Sequence, residues 1–293
     1  MILAPLRGVT IRCFRKVFEE QIAEAGFTEA VTPFIAALPG LDPLKDRELS
    51  PPRPLNAHGD NSKLLLTPQF IGKDPAALRT CLERIREAGY ETADLNCGCP
   101  FPMVRNKGRG SGILRTPDVL RRMLEVGCET MGPGKFSVKA RLGVDRPDEL
   151  LALMPLLNEF PLRFLTVHAR TARQMYTGAC DWEAVERIEA VAAMPIVRNG
   201  DLPLPTTNHQ PPTTNLMVGR AFIRALGERA DAAEGLLRYI KASREELCGD
   251  RPVLGRLKEL LCYWKEIPVW RRRWNVIKIC RSVDELCSLA VLI

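Results

Sequence analysis

The sequence lacks the features that would mark a membrane protein, a disulfide-bonded secreted protein or a zinc protein. No apolar run reaches the roughly 18 residues of a membrane-spanning helix. The 10 cysteines include no Cys-x-x-Cys pair, and there are only 3 histidines. We therefore expect reduced thiols, a cytoplasmic location and no metal site. Met1 leads directly into an apolar segment, which predicts a fold that starts without a leader peptide.

The composition that is present is that of an ordinary globular protein. The 293 residues are 46% hydrophobic and 26% charged, which allows one large domain and a smaller one. We predict these domains at 1–234 and 235–293. The net charge is +7, and the second segment holds 12 Lys and Arg against 7 Asp and Glu. Such a basic segment suggests a polyanionic partner.

Short apolar runs alternate with stretches of helical period along the first domain. The apolar runs predict eight strands, at 2–6, 28–35, 64–71, 92–95, 136–142, 164–168, 196–198 and 215–218. Helices are predicted between them, at 11–25, 75–88, 117–128, 148–158 and 182–193. This count favours an α/β fold of the (β/α)8 TIM-barrel class with a C-terminal helical domain. Pro-rich connections lie at 39–60 and 202–214, and in the second the seventh barrel helix is expected to be missing or degraded.

Polar residues follow most of the predicted strands. In a TIM barrel the chemistry lies at the carboxyl ends of the strands, and polar groups gathered there are costly to hold without a ligand. The candidate site residues are Pro5, Leu6, Arg7, Gln69, Asn96, Cys99, Lys139, Arg141, His168, Arg170, Asn199, Gly200, Asp201, Gly219 and Arg220.

The segment 92–100 is the most distinctive of these strand ends. A short strand runs directly into the sequence NCGCP. Gly98 permits backbone angles closed to other residues, and Pro100 fixes the chain just past the second cysteine. Such a turn would present Cys99 as a reactive thiol. The alternative is a buried turn with two inert cysteines.

Two glycine-containing turns follow the last two strands. Gly219-Arg220 follows the eighth strand, and Asn199-Gly200-Asp201 follows the seventh. In this fold, backbone N–H groups and a helix dipole at these positions commonly bind phosphate. Each turn alone is more often only a turn, but together they favour a cofactor that carries a phosphate.

Three side chains at other strand ends suit a flavin. Lys139 lies within an apolar strand and could stabilise the negative charge of a reduced flavin, or it could point outward. His168 could donate a hydrogen bond to a ring carbonyl, or be a satisfied core histidine. Gln69 could bond to the edge of the flavin, or face solvent.

Basic residues mark a loop and the C-terminal segment. The loop 105–112 carries two Arg, one Lys and three Gly. It is either a solvated loop or a mobile flap that touches phosphates and covers the thiol. The C-terminal segment places Trp264, Trp270 and Trp274 around the arginines 271–273. It is either a helical bundle with a basic face or a surface that stacks on RNA, and its charge favours RNA.

Together these motifs resemble those of the tRNA-dihydrouridine synthases, FMN-dependent barrels with a C-terminal helical tRNA-binding domain. The similarity runs along nearly the whole chain, and DLNCGCP at 94–100 is its most specific element. The other similar segments, in order, are APL at 4–6, GVT at 8–10, VKARLG at 138–143, HART at 168–171 with Gln174, Tyr176 and Gly178, NGD at 199–201, and GR at 219–220. The central motif, with the segment 256–258, is most similar to the bacterial branch that modifies uridine 16 of the D-loop.

The resemblance implies a reaction and the residues that perform it. NADPH would reduce FMN, reduced FMN would pass hydride to C6 of a flipped-out uracil, and the Cys99 thiol would protonate C5. The substrate would be held by Asn96, Arg141, Arg170 and Tyr176. The cofactor would be held by Pro5, Leu6, Arg7, Gln69, Lys139, His168, Asn199, Gly200, Asp201, Gly219 and Arg220. We expect a monomer that binds tRNA, with no membrane and no metal partner.

Two other functions stay open. The chain departs from the family pattern around the phosphate pocket, with Arg7 where an acidic or small residue is common and Ala221 where a third glycine is common. It could therefore be a tRNA-binding homologue with impaired flavin binding. It could also be an FMN barrel that reduces a small molecule, which would not need the basic C-terminal helices.

Overall fold

The structure, a computed structural model, describes residues 1–49, 63–205 and 215–291. Its strands all pair in parallel within one sheet. They are β1 Ile2–Leu3, β2 Glu29–Val31, β3 Ile35–Ala36, β4 Leu65–Thr67, β5 Gln69–Ile71, β6 Ala93–Cys97, β7 Phe136–Arg141, β8 Leu165–His168, β9 Ile196–Asn199 and β10 Leu216–Val218.

The sheet closes into a barrel with eight strand positions. We call each position a stave, because two of them are each made of two short strands in succession. The hydrogen-bonded order is β3-β5-β6-β7-β8-β9-β10-β1-β2-β4. Successive strands β2 and β3 form one stave, and β4 and β5 form the next. Because β2 pairs with β4 and β3 with β5, the two ends of that order belong to neighbouring staves. The predicted TIM-like barrel is confirmed.

Proline divides two of the staves that the sequence predicts as continuous strands. Pro33 lies between β2 and β3, and Pro68 lies between β4 and β5. Proline has no backbone N–H and therefore interrupts a ladder. At this break the Gln69 N–H donates to Thr32 Oγ1 at 3.0 Å. The continuity predicted for 28–35 and 64–71 is therefore wrong, although both staves are in place.

Helices surround the barrel and continue beyond it. They are α1 Arg12–Val17, α2 Glu19–Glu24, α3 Pro75–Glu87, α4 Pro102–Arg105, α5 Pro117–Met131, α6 Glu149–Leu157, α7 Trp182–Glu189, α8 Arg220–Glu228, α9 Ala232–Glu246, α10 Asp250–Trp264, α11 Pro268–Ile277 and α12 Val283–Val291. The single helix predicted at 11–25 is divided at Phe18. Two 3-10 helices lie at Pro43–Lys45 and Gly110–Arg115.

The two Pro-rich connections lie partly outside the described residues. Between β9 and β10 the structure describes 200–205 and 215, and these contain no helix. The prediction for 206–214 lies outside the described residues, as does that for 50–60.

The C-terminal helices share one hydrophobic core with the barrel. The ring centroid of Tyr239 on α9 lies 5.9 Å from those of both Phe14 on α1 and Phe18. Trp264 Nε1 donates to the carbonyl of Ile223 on α8 at 2.6 Å. The predicted domain limit at 234/235 falls inside α9, which begins at Ala232, and it stays a prediction.

Two tryptophans expected to meet RNA are instead part of this core. Trp264 is 0% exposed and Trp270 is 2% exposed, and their ring centroids lie 4.7 Å apart. Trp270 Nε1 donates to the carbonyl of Gly227 at 2.9 Å. The prediction that these two rings stack on RNA is wrong. Arg271 and Arg272 remain exposed.

Candidate active site

A chain of hydrogen bonds positions the end of β6. Gln69 Nε2 donates to Asp94 Oδ2 at 2.7 Å, and Asn96 Nδ2 donates to Gln69 Oε1 at 2.7 Å. Asn96 Oδ1 then accepts from the N–H groups of Gly98 at 3.1 Å and Cys99 at 2.9 Å. Gln69 and Asn96, predicted to contact cofactor and substrate, thus also fix the turn that carries the thiol.

Asp94 holds this chain of hydrogen bonds from inside the barrel. It is part of the DLNCGCP motif, but we predicted no role for it. Burial raises its pKa to about 6, while hydrogen bonds from Ser137 and Gln69 favour the charged form. Ser137 Oγ donates to Asp94 Oδ1 at 2.7 Å. The sequence signal for this role is a carboxylate inside an apolar strand, because a buried charge needs hydrogen-bond or ion-pair partners.

The glycine that the turn requires is Gly110 rather than Gly98. Gly98 does not adopt a positive φ, so the turn does not use the backbone angles that only glycine permits. Gly110 has φ +57°, and a Cβ on it would lie 2.7 Å from Cys99 Cβ. The Ser111 N–H and Oγ both donate to the Cys99 carbonyl, at 3.1 and 2.9 Å. The basic loop therefore lies directly against the thiol residue.

The two thiols of the motif occupy different environments. Cys97 is 0% exposed and Cys99 is 7% exposed. Burial raises the pKa of both thiols, with a nearby Asp94 adding to the effect at Cys97. At Cys99 the backbone N–H of Phe101 and the cations Arg7, Arg141 and Lys139 oppose this rise. Cys99 is therefore a protonated thiol at neutral pH whose thiolate would meet positive charge.

Arg141, at the end of β7, ties the thiol turn to the loop after β8. Its Nε donates to the Gly98 carbonyl at 2.9 Å, and its Nη1 donates to the carbonyls of Thr171 at 2.9 Å and Met175 at 2.6 Å. Its guanidinium carbon lies 5.2 Å from the Tyr176 ring centroid. Burial lowers its pKa to about 10, so it stays charged at neutral pH.

Lys139 and His168 lie on the neighbouring strands β7 and β8. Both belong to the region around the carboxyl ends of the strands, which we call the barrel mouth. Burial, with repulsion from Arg141, lowers the pKa of Lys139 to about 8. Burial and the surrounding cations lower the pKa of His168 well below its usual range, so its ring is neutral. Among the described residues, Lys139 Nζ has no hydrogen-bond or ion-pair partner. An ammonium in this state suits an anionic ligand.

Asp201 joins two of the mouth arginines. Its carboxylate forms ion pairs with Arg170 and with Arg220. Arg170 also donates from Nη2 to the Gly178 carbonyl at 2.7 Å. The Arg220 guanidinium carbon lies 5.3 Å from the Tyr176 ring centroid, so this half-exposed ring contacts both Arg220 and Arg141.

The two glycine turns predicted to bind phosphate lie after β9 and β10, and their role stays a prediction. Gly219 is the N-terminal cap of α8, which begins at Arg220. Asn199 ends β9, and its Nδ2 donates to the Met217 carbonyl at 2.8 Å. A Cβ on Gly200 would lie 2.7 Å from Cys180 Sγ, so only glycine fits there.

The first strand and α10 complete the mouth. Pro5 and Leu6 are partly buried after β1, and the Arg7 guanidinium carbon lies 5.2 Å from the Phe34 ring centroid. Glu259 on α10 reaches this loop, because a Cβ on Gly8 would collide with its carboxylate. Sequence reasoning missed Glu259, since nothing in the chain places residue 259 beside residue 8.

The charges of the mouth fit a phosphate-bearing, anionic cofactor. Besides Arg7, which lies beside Glu259, four cations gather there, on β7, after β8 and at the start of α8: Lys139, Arg141, Arg170 and Arg220. Asp201 is the carboxylate paired with two of them. The excess of positive charge, with Lys139 unpaired, matches a reduced flavin and its phosphate.

Residues 1–49, 63–205 and 215–291 contain neither a cluster of metal ligands nor a membrane-spanning helix. No group of three His, Cys, Asp or Glu side chains there could hold a metal ion. No helix in that part of the chain is long and apolar enough to cross a membrane.

Solved structures with a similar fold are parallel α/β barrels. The old yellow enzyme homologue from Zymomonas mobilis matches with a TM-score of 0.51 and 13% identity, over 76% of this chain and 85% of that one. Morphinone reductase matches with a TM-score of 0.51 and 12% identity, over 76% of this chain and 82% of that one. These likenesses establish the fold class.

The sequence comparisons then identify the family within that class. Residues 2–225 match the family model described as Dihydrouridine synthase (Dus), so the chain belongs to this family. The tRNA-dihydrouridine synthase B of Pseudomonas aeruginosa is 29% identical over 226 residues, 75% of this chain and 65% of that protein. The tRNA-dihydrouridine(16) synthase of Shigella flexneri is 29% identical over 205 residues, 69% and 64% of the two chains. The matched region thus spans slightly less than two thirds of these relatives.

Proposed function

We propose that this chain reduces a uridine of the tRNA D-loop to 5,6-dihydrouridine. Membership of the dihydrouridine synthase family supports this activity. The observation that carries it is the Cys99 thiol, which burial keeps protonated at the end of β6, beside the cations of the barrel mouth. A general acid needs such a proton and a site where the conjugate base is stabilised.

Cys99 would supply the proton of the reaction. Hydride addition at C6 of the uracil leaves an electron pair at C5 that is delocalised onto the C4 carbonyl. The thiol proton moves to C5, the S–H bond breaks, and solvent later reprotonates the thiolate. Lys139 and Arg141 favour that thiolate electrostatically, so the same environment holds the proton before the step and tolerates its loss after it.

We propose FMN as the cofactor of the mouth, which when bound would supply hydride taken from NADPH. Lys139 would place a positive charge against the flavin ring, while the neutral His168 would donate a hydrogen bond without adding charge. Asn199-Gly200-Asp201 and Gly219-Arg220 would hold the phosphate at the start of α8. Pro5, Leu6, Arg7 and Gln69 would line the remaining edge.

The uracil would lie between this cofactor and Cys99. Asn96 keeps a second N–H on Nδ2 for a uracil carbonyl, because its first N–H is used by Gln69. Arg141, Arg170 and Tyr176 would line the opening through which the nucleotide enters. Enzymes that act on a base must take it out of its stack, which an open barrel mouth permits.

The proposals for the target uridine and for the tRNA-binding segment rest on similarity to one branch of the family and on the charge of the segment. We propose uridine 16 as the target, since a relative from Shigella flexneri carries that specificity in its name. We propose that 235–293, with its exposed arginines on α11, binds tRNA, and that the protein acts as a monomer.

One observation favours a second candidate, a tRNA-binding homologue with impaired flavin binding. Asp201 pairs with both Arg170 and Arg220, so a cofactor phosphate would have to compete with this carboxylate for Arg220. Like charges repel at such a distance. The experiment on flavin content separates the two candidates.

The decisive experiment is the visible absorption spectrum of the purified protein, before and after anaerobic addition of NADPH and then of unmodified tRNA. A flavin band that NADPH bleaches and tRNA restores would support the proposed reaction. A protein that stays colourless with added FMN, yet shifts tRNA on a gel, would contradict the proposed reaction and favour the second candidate.

A further inference from the structure

We propose that the surface just after the thiol turn binds the single-stranded RNA that flanks the reacting uridine. This inference rests on the proposed function. We call the surface the loop platform and define it by two apolar side chains and four cations: Phe101, Met103, Lys73, Arg105, Lys107 and Arg109.

The loop platform exposes large apolar side chains close to the thiol. Met103 is 75% exposed and Phe101 is 44% exposed, although both lie within four residues of Cys99. Four residues of chain reach at most about 14 Å, so these side chains lie beside the mouth. Exposed apolar groups rimmed by polar ones commonly mark interaction sites.

The rim of this platform is basic and unneutralised. No acidic residue occurs at 96–117. Lys73 lies beside the loop, its Nζ 3.9 Å from the Cβ position of Gly108. Among residues that the structure describes, Lys73, Lys107 and Arg109 form no ion pair, whereas Arg115, just beyond the loop, pairs with Asp145.

Two buried guanidinium atoms add to this picture. Arg105 Nε and Arg109 Nε are both buried without a hydrogen-bond partner among the described residues. Among the described residues, no hydrogen bond at Nε fixes either guanidinium group to another side chain, and phosphate oxygens are the acceptors that arginine matches best.

The platform is rigidly connected to the reacting thiol. Ser111 donates twice to the Cys99 carbonyl, and Gly110 packs on Cys99 with no room for a Cβ. The carbonyl of Arg105 leaves no room for a Cβ on Gly112 either. A strand of RNA held on the platform would therefore have a fixed position relative to Cys99.

This combination fits single-stranded RNA better than other polyanions. Unpaired bases stack on aromatic side chains, while cations beside them hold the backbone. Methionine is polarizable and adapts to different partners, so Met103 suits contact with bases of any sequence. Duplex RNA keeps its bases stacked inside and would leave Phe101 and Met103 in water.

The first test compares Phe101→Ala and Met103→Ala with Val191→Ala, which alters a 50% exposed valine before β9, at the opposite end of the barrel. We expect each platform variant to raise the KM for unmodified tRNA about 10-fold, the size of one lost stacking contact. Met103→Leu, which keeps an apolar side chain, should stay near the wild type. The rate of FMN reduction by NADPH without RNA should be unchanged in all of them.

The second test concerns the cations. Lys107→Gln should lower the slope of log Kd for tRNA against log salt by about 0.7, the value for one contact to a single strand. Lys135→Gln, an exposed lysine at the amino end of β7, should leave that slope unchanged.

The outcomes separate the inference from the function on which it rests. If the wild type forms no dihydrouridine, the proposed function is wrong. If it forms dihydrouridine and the platform variants match Val191→Ala and Lys135→Gln, the platform inference is wrong. If Met103→Ala instead changes the sedimentation coefficient of the free protein, the platform is a contact between two copies and the inference is again overturned.

Discussion

At the scale of single residues, the two cysteines of the motif lie two positions apart but in unlike surroundings. Cys97 faces the core and is completely buried, whereas Cys99 keeps a small exposed area at the mouth. Arg141 binds the Gly98 carbonyl between them. Of the two thiols only that of Cys99 has an exposed area, so we assign the proposed acid role to Cys99.

Cys99→Ala should abolish dihydrouridine formation while the protein keeps its flavin, because the proton donor is lost and the turn is not. Cys97→Ala should retain most activity and lose about 1–2 kcal/mol of unfolding free energy, since it leaves a small cavity. Turnover is measured with unmodified tRNA and stability by urea unfolding. An inactive Cys97→Ala with an active Cys99→Ala would reverse the assignment.

The raised pKa of Cys99 also predicts a pH profile. A thiol with an ordinary pKa loses its proton near pH 8.5, but burial holds the Cys99 proton to higher pH. Lys139, whose pKa is about 8, would also titrate in this range, so the test uses Lys139→Arg, which keeps its positive charge throughout. In that variant the rate of uracil reduction should stay level through pH 8.5 and fall only above it. A rate that falls already between pH 7 and 8.5 in Lys139→Arg, with flavin reduction still fast, would contradict an acid role for the Cys99 thiol.

Lys139 is a charge that the fold holds at a cost. Its pKa is about 8 in the folded protein and about 10.4 in an unfolded chain. Below pH 8 both states are protonated and the cost, about 3 kcal/mol, is fully present. Between pH 8 and 10.4 the unfolded chain binds more protons, so unfolding free energy rises with pH.

Lys139→Met should therefore stabilise the protein without cofactor by about 3 kcal/mol at pH 7. The advantage over the wild type should shrink as pH rises from 8 to 10.4. Urea unfolding of both proteins at pH 7 and pH 10 measures this, with Lys135→Met as an exposed control. An advantage that is equal at both pH values would mean that hydrophobic packing, not charge, causes it.

At the scale of elements, β6 and its turn depend on one amide. Asn96 accepts from two N–H groups of the turn and donates to Gln69. Without it, two buried donors lose their acceptor, which is more costly than the loss of an exposed hydrogen bond.

Asn96→Ala should lower the unfolding free energy by about 2–3 kcal/mol, because it leaves the N–H groups of Gly98 and Cys99 without an acceptor. Asn96→Asp keeps that acceptor and should recover part of the loss. Denaturant unfolding measures both variants. Equal stability of Asn96→Ala and the wild type would show that water replaces the amide.

Elements also show which features the sequence could predict. The eight staves can be predicted from short apolar runs with polar residues at their ends. This signal is local, so it gives the number of staves even where the predicted first or last residue of a strand is wrong. The divisions at Pro33, Pro68 and Phe18 depend on how chain segments pair and pack, which a single run does not encode. The need for glycine at residue 110 arises from contact with Cys99, 11 positions away, so no local rule could find it.

At the scale of the whole molecule, the barrel and the C-terminal helices are joined by buried aromatic rings. The Trp and Arg pattern of α10 and α11 suggested an RNA-stacking surface, but Trp264 and Trp270 cover α8. Composition alone cannot distinguish a tryptophan that faces a ligand from one that faces a neighbouring helix. Among the basic residues of the same segment, Arg271 and Arg272 stay exposed.

Removal of 235–293 should therefore prevent the barrel from folding, whatever the substrate. The deletion exposes Phe14, Phe18 and the face of α8 that Trp264 covers, a large apolar area in water. We expect aggregation or loss of helical circular dichroism. A truncated barrel that stays monomeric, with a cooperative thermal transition, would contradict this.

The contact between α8 and α10 also constrains how the chain can diverge. A Cβ on Gly227 would collide with the indole of Trp264, so the small residue and the large one occupy complementary space. A change at either position alone disturbs the contact between the barrel and the C-terminal helices, so the two positions should change together. A chimera in which the helices after α8 are exchanged would have to exchange α8 along with them.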